Sequence, residues 1–204
     1  YGKNVYDHAE INAVIKTLKN STQMGKSVSM FEKKIASMFG KKYGLMVNSG
    51  SSALVLAFKS LNLKKGSEVI TPCLNFGTAV SSIMLNDLVP VLVDVNIRTL
   101  QINPELIKKK ITKKTKAILI PNLIGNIPDW KKIKQIAKKN NLWIIEDSAD
   151  TLGAKIDNKP TGTFSDISIT SFYGSHVISC AGNGGMLATN NKNIFTKSKI
   201  LRSW

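Results

Sequence analysis

Short apolar segments alternate with segments of helical periodicity along the first 145 residues, and this alternation restricts the fold more than any other feature. The strand-like segments are 43–47, 68–71, 89–93, 117–120 and 142–145. The helix-like segments between them are 52–61, 77–85, 104–111 and 128–139, with Asn103 at the expected start of the third. Strands joined by helices form a mostly parallel sheet that is covered on both faces. The pattern predicts a three-layer α/β domain.

The two ends of the chain extend this pattern without dividing it. Helical spacing predicts two further helices, at 9–18 and 28–39, and Gly40 is placed to cap the second. Closely spaced apolar runs at 153–156, 167–172 and 185–189 predict hairpins or sheet strands without long crossovers. No repeat or linker separates these segments, so residues 1–204 are expected to form a single domain.

The ends themselves predict a fragment. The chain begins at Tyr1 without a methionine, and a helical pattern from Asn193 onward reaches Trp204 without a Gly or Pro stop signal. We therefore expect a piece of a longer protein, cut at both ends.

The net charge of +16 raises the question of a polyanionic partner. The basic residues argue against nucleic acid, because the only arginines are Arg98 and Arg202, and arginine is the usual side chain for bidentate base readout. The lysines fall on separate segments, as expected of solvated helix faces. A basic nucleic-acid-binding module is thus the weakest alternative, whereas acidic nucleotide-linked substrates are compatible with the charge.

The cysteines and the hydropathy pattern favour a cytoplasmic protein. Cys73 and Cys180 are far apart and form no CxxC motif, so neither a disulfide framework nor a zinc site is predicted. No apolar run approaches the roughly 20 residues that span a bilayer. We expect no membrane partner and no metal.

Three short motifs could bind a ligand, although each has a structural alternative. The turn at 48–53 offers helix N-terminal N–H groups that suit a phosphate, or simply a serine N-cap. Glu146, Asp147 and Asp150 follow a buried strand, where open α/β sheets bind ligands, but helix capping or a metal-binding loop is also credible. Phe76 begins a helix and could lie against a flat ring, or belong to the core. His176 alone would most often be a structural histidine, and His8 a surface residue.

The order of these motifs is more specific than any one of them. A Ser/Gly turn, an aromatic after a strand, a Glu-Asp pair and the run from Ser171 to Gly185 (SFYGSHVISCAGNGG) together resemble the fold-type I pyridoxal phosphate family of nucleotide-sugar aminotransferases named DegT/DnrJ/EryC1/StrS. The resemblance covers essentially the whole chain. His176 stands where the aminotransferases carry the lysine that binds the cofactor covalently, and this variant resembles the sugar 3-dehydratases that use pyridoxamine phosphate.

The resemblance implies a role for each site residue. Gly50, Ser51 and Ser171 would hold the cofactor phosphate, Phe76 would stack on the ring, and Asp147 would pair with the pyridine nitrogen. Asp150 occupies a place where aminotransferases usually have glutamine and the dehydratases have aspartate. His176 would be the catalytic acid and base, since histidine can take up and return a proton near neutral pH. Three departures leave the substrate open: Gly174, Val177 and Asn183 replace the family's more frequent residues.

The implied activity is dehydration at C3 of a nucleotide-linked 4-keto-6-deoxyhexose, in deoxysugar or lipopolysaccharide biosynthesis. The alternatives are an aminotransferase-like protein with little transaminase activity and a non-catalytic regulatory protein on the same fold. The family also implies a homodimer with a shared site, and a C-terminal small domain that this chain lacks. Some dehydratases pair with a reductase and carry an iron-sulfur cluster, whose cysteines would lie beyond Trp204; others regenerate pyridoxamine phosphate with glutamate.

Overall fold

A mixed seven-stranded sheet forms the centre of the computed structural model, which describes residues 5–203. The strands of this sheet and of a small hairpin are β1 (Tyr43–Val47), β2 (Glu68–Pro72), β3 (Val89–Val93), β4 (Thr115–Pro121), β5 (Trp143–Asp147), β6 (Lys155–Ile156), β7 (Lys159–Pro160), β8 (Ile167–Ser171) and β9 (Gly185–Thr189). The sheet order is β1-β9-β8-β5-β4-β2-β3, and β6 pairs with β7 in the hairpin. In the seven-stranded sheet, β9 runs antiparallel to both of its neighbours and the other pairs are parallel, whereas the β6–β7 hairpin is antiparallel.

The helices begin and end close to the predicted positions. They are α1 (His8–Asn20), α2 (Lys26–Met38), α3 (Gly50–Leu61), α4 (Gly77–Met84), α5 (Pro104–Lys110), α6 (Trp130–Lys139) and α7 (Lys192–Arg202), with short 3₁₀ turns at Leu123–Gly125 and Thr161–Phe164. Asn103 caps α5 through a hydrogen bond from the Glu105 N–H to its side chain. Within residues 5–203, no helix is long and apolar enough to cross a membrane.

The helices lie on both faces of the sheet, which confirms the predicted three-layer α/β fold. One core contains side chains of α3, α4 and α7, and the opposite face packs against α2, α5 and α6. Side chains of β5 alternate between the two faces, with Ile145 in the first core and Ile144 in the second. The same alternation directs the last two residues of β5, Glu146 and Asp147, to opposite faces.

Burial across the sheet explains why the apolar runs predicted strands so well. Residues Ala117 to Ile120 of β4 are all fully buried, as expected of a central parallel strand covered on both sides. β3 is an edge strand, and it contains Pro90, whose ring cannot donate a ladder hydrogen bond. The two cysteines, Cys73 and Cys180, are free thiols.

Candidate active site

The turn before α3 forms a capped helix N-terminus at the carboxyl end of β1. Ser49 is the N-cap, and its Oγ accepts a hydrogen bond of 3.1 Å from the Ser52 N–H. The first N–H groups of a helix have no acceptor within the helix, and the macrodipole adds partial positive charge there. The amides of Gly50 and Ser51 therefore offer a place for an anion such as a phosphate.

Ser171, the last residue of β8, lies directly against this turn. A Cβ atom added to Gly50 would lie only 2.8 Å from the Ser171 Cβ, so glycine is what allows the two segments to approach. Gly185 is equally constrained, since a Cβ there would lie 2.2 Å from the backbone of Ser49. The structure thus brings the predicted phosphate-binding residues together, and it adds Gly185, to which the sequence motif assigned no role.

Asp147 lies on the same face and at the same end of the sheet as Ser171. β5 and β8 are adjacent, Asp147 is opposite Ile169, and Ser171 lies two residues further along β8. The carboxyl group is buried and accepts a hydrogen bond of 3.0 Å from the Ala149 N–H. Burial raises the pKa of Asp147 to about 7, and the charges of Asp150 and Glu146 act in the same direction. Within residues 5–203, no lysine or arginine forms an ion pair with it.

Asp150 connects the turn after β5 to His176. Its Oδ1 lies 3.8 Å from His176 Nε2, and its Oδ2 accepts a hydrogen bond of 3.3 Å from the Ile124 N–H. Ile124 has φ 56° and ψ 32°, a left-handed conformation that is unfavourable for a β-branched residue. Its backbone is therefore held in a strained form that aims the N–H at Asp150, a role that sequence reasoning missed because an isoleucine carries no turn signal.

His176 lies in the loop between β8 and β9. The loop is anchored by Phe172, which is fully buried, and the His176 N–H donates to the Tyr173 carbonyl at 3.0 Å. The His176 Nδ1 atom and the Ser175 hydroxyl are buried without a hydrogen-bond partner. Such unpaired groups are rare in folded proteins and often belong to binding sites.

Phe76 is the N-cap of α4, and the residue is 70% exposed. The core alternative for this residue is therefore wrong in the described chain. α4 covers the same face of the sheet as α3, so the aromatic ring stands at the edge of the face that carries Asp147 and Ser171. A flat ligand bound there would have an aromatic surface available for stacking.

Comparison with known proteins supports the same interpretation as the geometry of the site. Residues 4–204 match the model of the DegT/DnrJ/EryC1/StrS aminotransferase family. The chain belongs to this family. The match extends over nearly every residue, so the resemblance inferred from the motif order is confirmed.

Individual relatives include both of the enzyme types that the sequence suggested. The lipopolysaccharide biosynthesis protein RfbH of Salmonella typhimurium is 39% identical over 88% of this chain and 43% of its own length. GDP-perosamine synthase of Escherichia coli O157:H7 is also 39% identical, over 85% of this chain and 47% of its own. The structure of E. coli GDP-4-keto-6-deoxy-D-mannose-3-dehydratase with bound hydrated PLP superposes with a TM-score of 0.89 at 33% identity, covering 95% of this chain and 51% of that one. The chain thus spans about half the length of the relatives it matches.

Proposed function

We propose that this chain is the cofactor-binding part of a pyridoxamine phosphate-dependent sugar 3-dehydratase, acting on a nucleotide-linked 4-keto-6-deoxyhexose. The observation that carries the proposal is His176, which the motif resemblance aligns with the covalent lysine of the aminotransferases and whose Nε2 lies 3.8 Å from Asp150 Oδ1. The sequence has no lysine between Lys159 and Lys192, so no neighbouring residue replaces that anchor. The similarity to a 3-dehydratase supports the same activity.

The residues present fit pyridoxamine or pyridoxal phosphate. Because Gly50 has no side chain, the N-terminus of α3 and Ser171 lie close together, and the two would hold the phosphate. Asp147 is a buried acid without a cationic partner in the described chain, and a protonated pyridine nitrogen would supply that partner. Phe76 would lie on the ring. When bound, the cofactor supplies the amine that attaches the keto sugar and the ring that accepts electrons.

The protein's own contribution is to hold the ring and to move a proton. Asp147 would keep the proton on the pyridine nitrogen through its carboxylate. His176 would act first as a base that takes a proton from the C4′ carbon of the cofactor. It would then act as an acid that gives a proton to the departing 3-hydroxyl oxygen. The carboxylate of Asp150, whose Oδ1 lies 3.8 Å from Nε2, would lie beside the imidazole throughout these two events.

The similarity to GDP-perosamine synthase supports the aminotransferase alternative. This relative and RfbH are both 39% identical to the chain over the matched residues. His176 decides between the two, because an imidazole cannot form the covalent bond that a lysine forms with pyridoxal phosphate. Homodimer formation, a C-terminal small domain, a reductase partner and an iron-sulfur cluster encoded beyond Trp204 are further family properties that we retain as proposals for the full-length protein.

The decisive experiment combines cofactor binding with borohydride trapping on the full-length protein. We expect wild type to bind pyridoxamine phosphate, to yield no lysine adduct after pyridoxal phosphate and borohydride, and to convert a nucleotide-linked 4-keto-6-deoxyhexose to its 3-deoxy product by mass spectrometry. His176→Asn should retain binding and lose turnover. His176→Lys should gain a trappable adduct at position 176. A lysine adduct in wild type would instead assign the protein to the aminotransferases.

A further inference from the structure

Glu146 precedes Asp147 on β5 but points to the opposite face of the sheet. Its side chain is completely buried between the two hydrophobic clusters of that face. Donors from four other residues reach its two oxygen atoms: Asn122 Nδ2 at 3.0 Å, Ser148 Oγ at 2.9 Å, Ser165 Oγ at 3.1 Å and Ser168 Oγ at 2.7 Å. A carboxylate has about four acceptor sites. Asn122, Ser148 and Ser168 fill three of them, and the fourth shares the single hydroxyl hydrogen of Ser165 with the Gly162 carbonyl at 3.2 Å and with Ser168 Oγ at 2.9 Å.

Trp130 of α6 sets the direction of the hydrogen bonds that Asn122 and Ser148 make with Glu146. The indole N–H can only donate, and it donates to Asn122 Oδ1 at 2.9 Å. The Asn122 amide is therefore oriented with its NH₂ group toward Glu146 and toward Ser148 Oγ, which it reaches at 2.7 Å. Because Ser148 Oγ accepts this bond, its own hydrogen is free to point at Glu146. An acceptor is therefore required at Glu146 Oε1, where Asn122 and Ser148 both donate, whereas the hydroxyls of Ser165 and Ser168 beside Oε2 can donate or accept.

The same residues fasten the backbone on both sides of Asp147. The Asn122 N–H donates to the Asp147 carbonyl at 2.8 Å, and the Asn122 side chain binds the two residues that flank Asp147. The Ser148 N–H donates to the Ile169 carbonyl at 2.9 Å, and the Thr170 hydroxyl donates to the Ser148 carbonyl at 3.0 Å. The end of β5 is thus tied to β4 on one side and to β8 on the other.

We infer that Glu146 is a positioning residue for Asp147: its carboxylate, held by side-chain donors from Asn122, Ser148 and Ser168, locks the flanking residues so that Asp147 presents its carboxyl group to the ligand-binding face. The inference rests on the proposed function, in which Asp147 meets the pyridine nitrogen. Glu146 itself would touch neither cofactor nor substrate, since it lies on the other side of the sheet. A burial role alone would not need the acceptor at Oε1 that Trp130 and Asn122 impose.

The test compares Glu146→Met, which removes both acceptor oxygens and keeps a similar length, with two controls in the full-length protein. Glu68→Met makes the same chemical change at the amino end of β2, where Glu68 accepts bonds from the hydroxyls of Thr112 and Thr115. Ile136→Ala removes buried volume from α6 on the same face, and it serves as a control for lost stability. The first readout needs no ligand: hydrogen exchange of the Ala149 amide, which donates to Asp147 Oδ1.

We expect Glu146→Met to reduce the protection of the Ala149 amide at least about tenfold and to weaken pyridoxamine phosphate binding by a similar factor, while both controls leave the two readouts near wild type. Unchanged Ala149 protection in Glu146→Met, or an equal loss in Ile136→Ala, would overturn the inference. Failure of the proposed function is distinguishable, because wild type would then keep Ala149 protected and yet not bind pyridoxamine phosphate.

Discussion

Two carboxyl groups one residue apart, Glu146 and Asp147, lie on opposite faces of the same strand in opposite chemical surroundings. Both are buried, yet Glu146 lies within hydrogen-bond distance of four side-chain donors, and Asp147 accepts one bond from a backbone N–H. The first group is saturated inside the protein, and the second keeps its binding capacity for something else. Hydrogen-bond saturation, rather than burial, separates the acid that holds the fold from the acid that is available to a ligand.

The largest effect should follow from removing the saturated acid. Glu146→Ala takes the acceptor away from the buried donors of Asn122, Ser148 and Ser168, which should lower the free energy of unfolding by about 3–5 kcal/mol. Urea denaturation of the variant and wild type measures this difference. Glu68→Ala is the control, since Glu68 lies at the margin of the sheet, and it should lose much less. A loss below about 1 kcal/mol for Glu146→Ala would break the contrast between the two acids.

Removing the unsaturated acid, Asp147, should have the opposite effect and raise the free energy of unfolding at neutral pH. The pKa of Asp147 is raised to about 7 in the folded chain, from an ordinary value of 3.8. Above pH 4 the unfolded chain loses this proton while the folded chain retains it, so stability falls as the pH rises from about 4 to 7 and then levels off. Asp147→Asn removes that fall, which amounts to about 4 kcal/mol.

Urea denaturation of the cofactor-free protein at pH 4, 6 and 8 checks this prediction. The variant should be the more stable protein at pH 8, and its advantage should disappear toward pH 4. It should nevertheless bind pyridoxamine phosphate poorly, because an amide cannot neutralise a pyridinium nitrogen. An Asp147→Asn protein that is equally destabilised at every pH would show that Asp147, like Glu146, holds the fold together.

The sequence predicted the strands and the acid cluster but could not separate these two acids. Local apolar periodicity located β5 at 142–145, and the strand extends to Asp147, which fixes the face that each acid occupies. The donors that saturate Glu146 come from distant segments, including Asn122 and Ser168, so no local pattern reveals them. The contact between Asp150 and His176 likewise depends on a strained turn at Ile124 that an isoleucine does not signal.

Single hydroxyl groups allow a finer test of the same contrast. Ser168 donates to Glu146 at 2.7 Å on the saturated face, and Ser175 has a buried hydroxyl without a partner beside His176. Ser168→Ala should lower the free energy of unfolding by about 1.5–3 kcal/mol, because one hydrogen bond to a carboxylate is lost. Ser175→Ala should leave it unchanged or raise it, since no bond is removed and an unpaired buried hydroxyl is lost. Equal losses in the two variants, measured by thermal and urea unfolding, would contradict the contrast.

The smallest effect should come from Asp150, whose charge helps to raise the pKa of Asp147. Asp150→Asn removes that charge while preserving size, so the pKa of Asp147 should fall and its cost to stability at pH 8 should shrink by less than about 1 kcal/mol. The 3.8 Å contact with His176 Nε2 is exposed enough to add little of its own. The measurement is the carboxyl carbon shift of Asp147 across pH 4–8 in ligand-free protein. An unchanged titration would mean that the burial of Asp147 in the fold, and not the charge of Asp150, sets the pKa of Asp147.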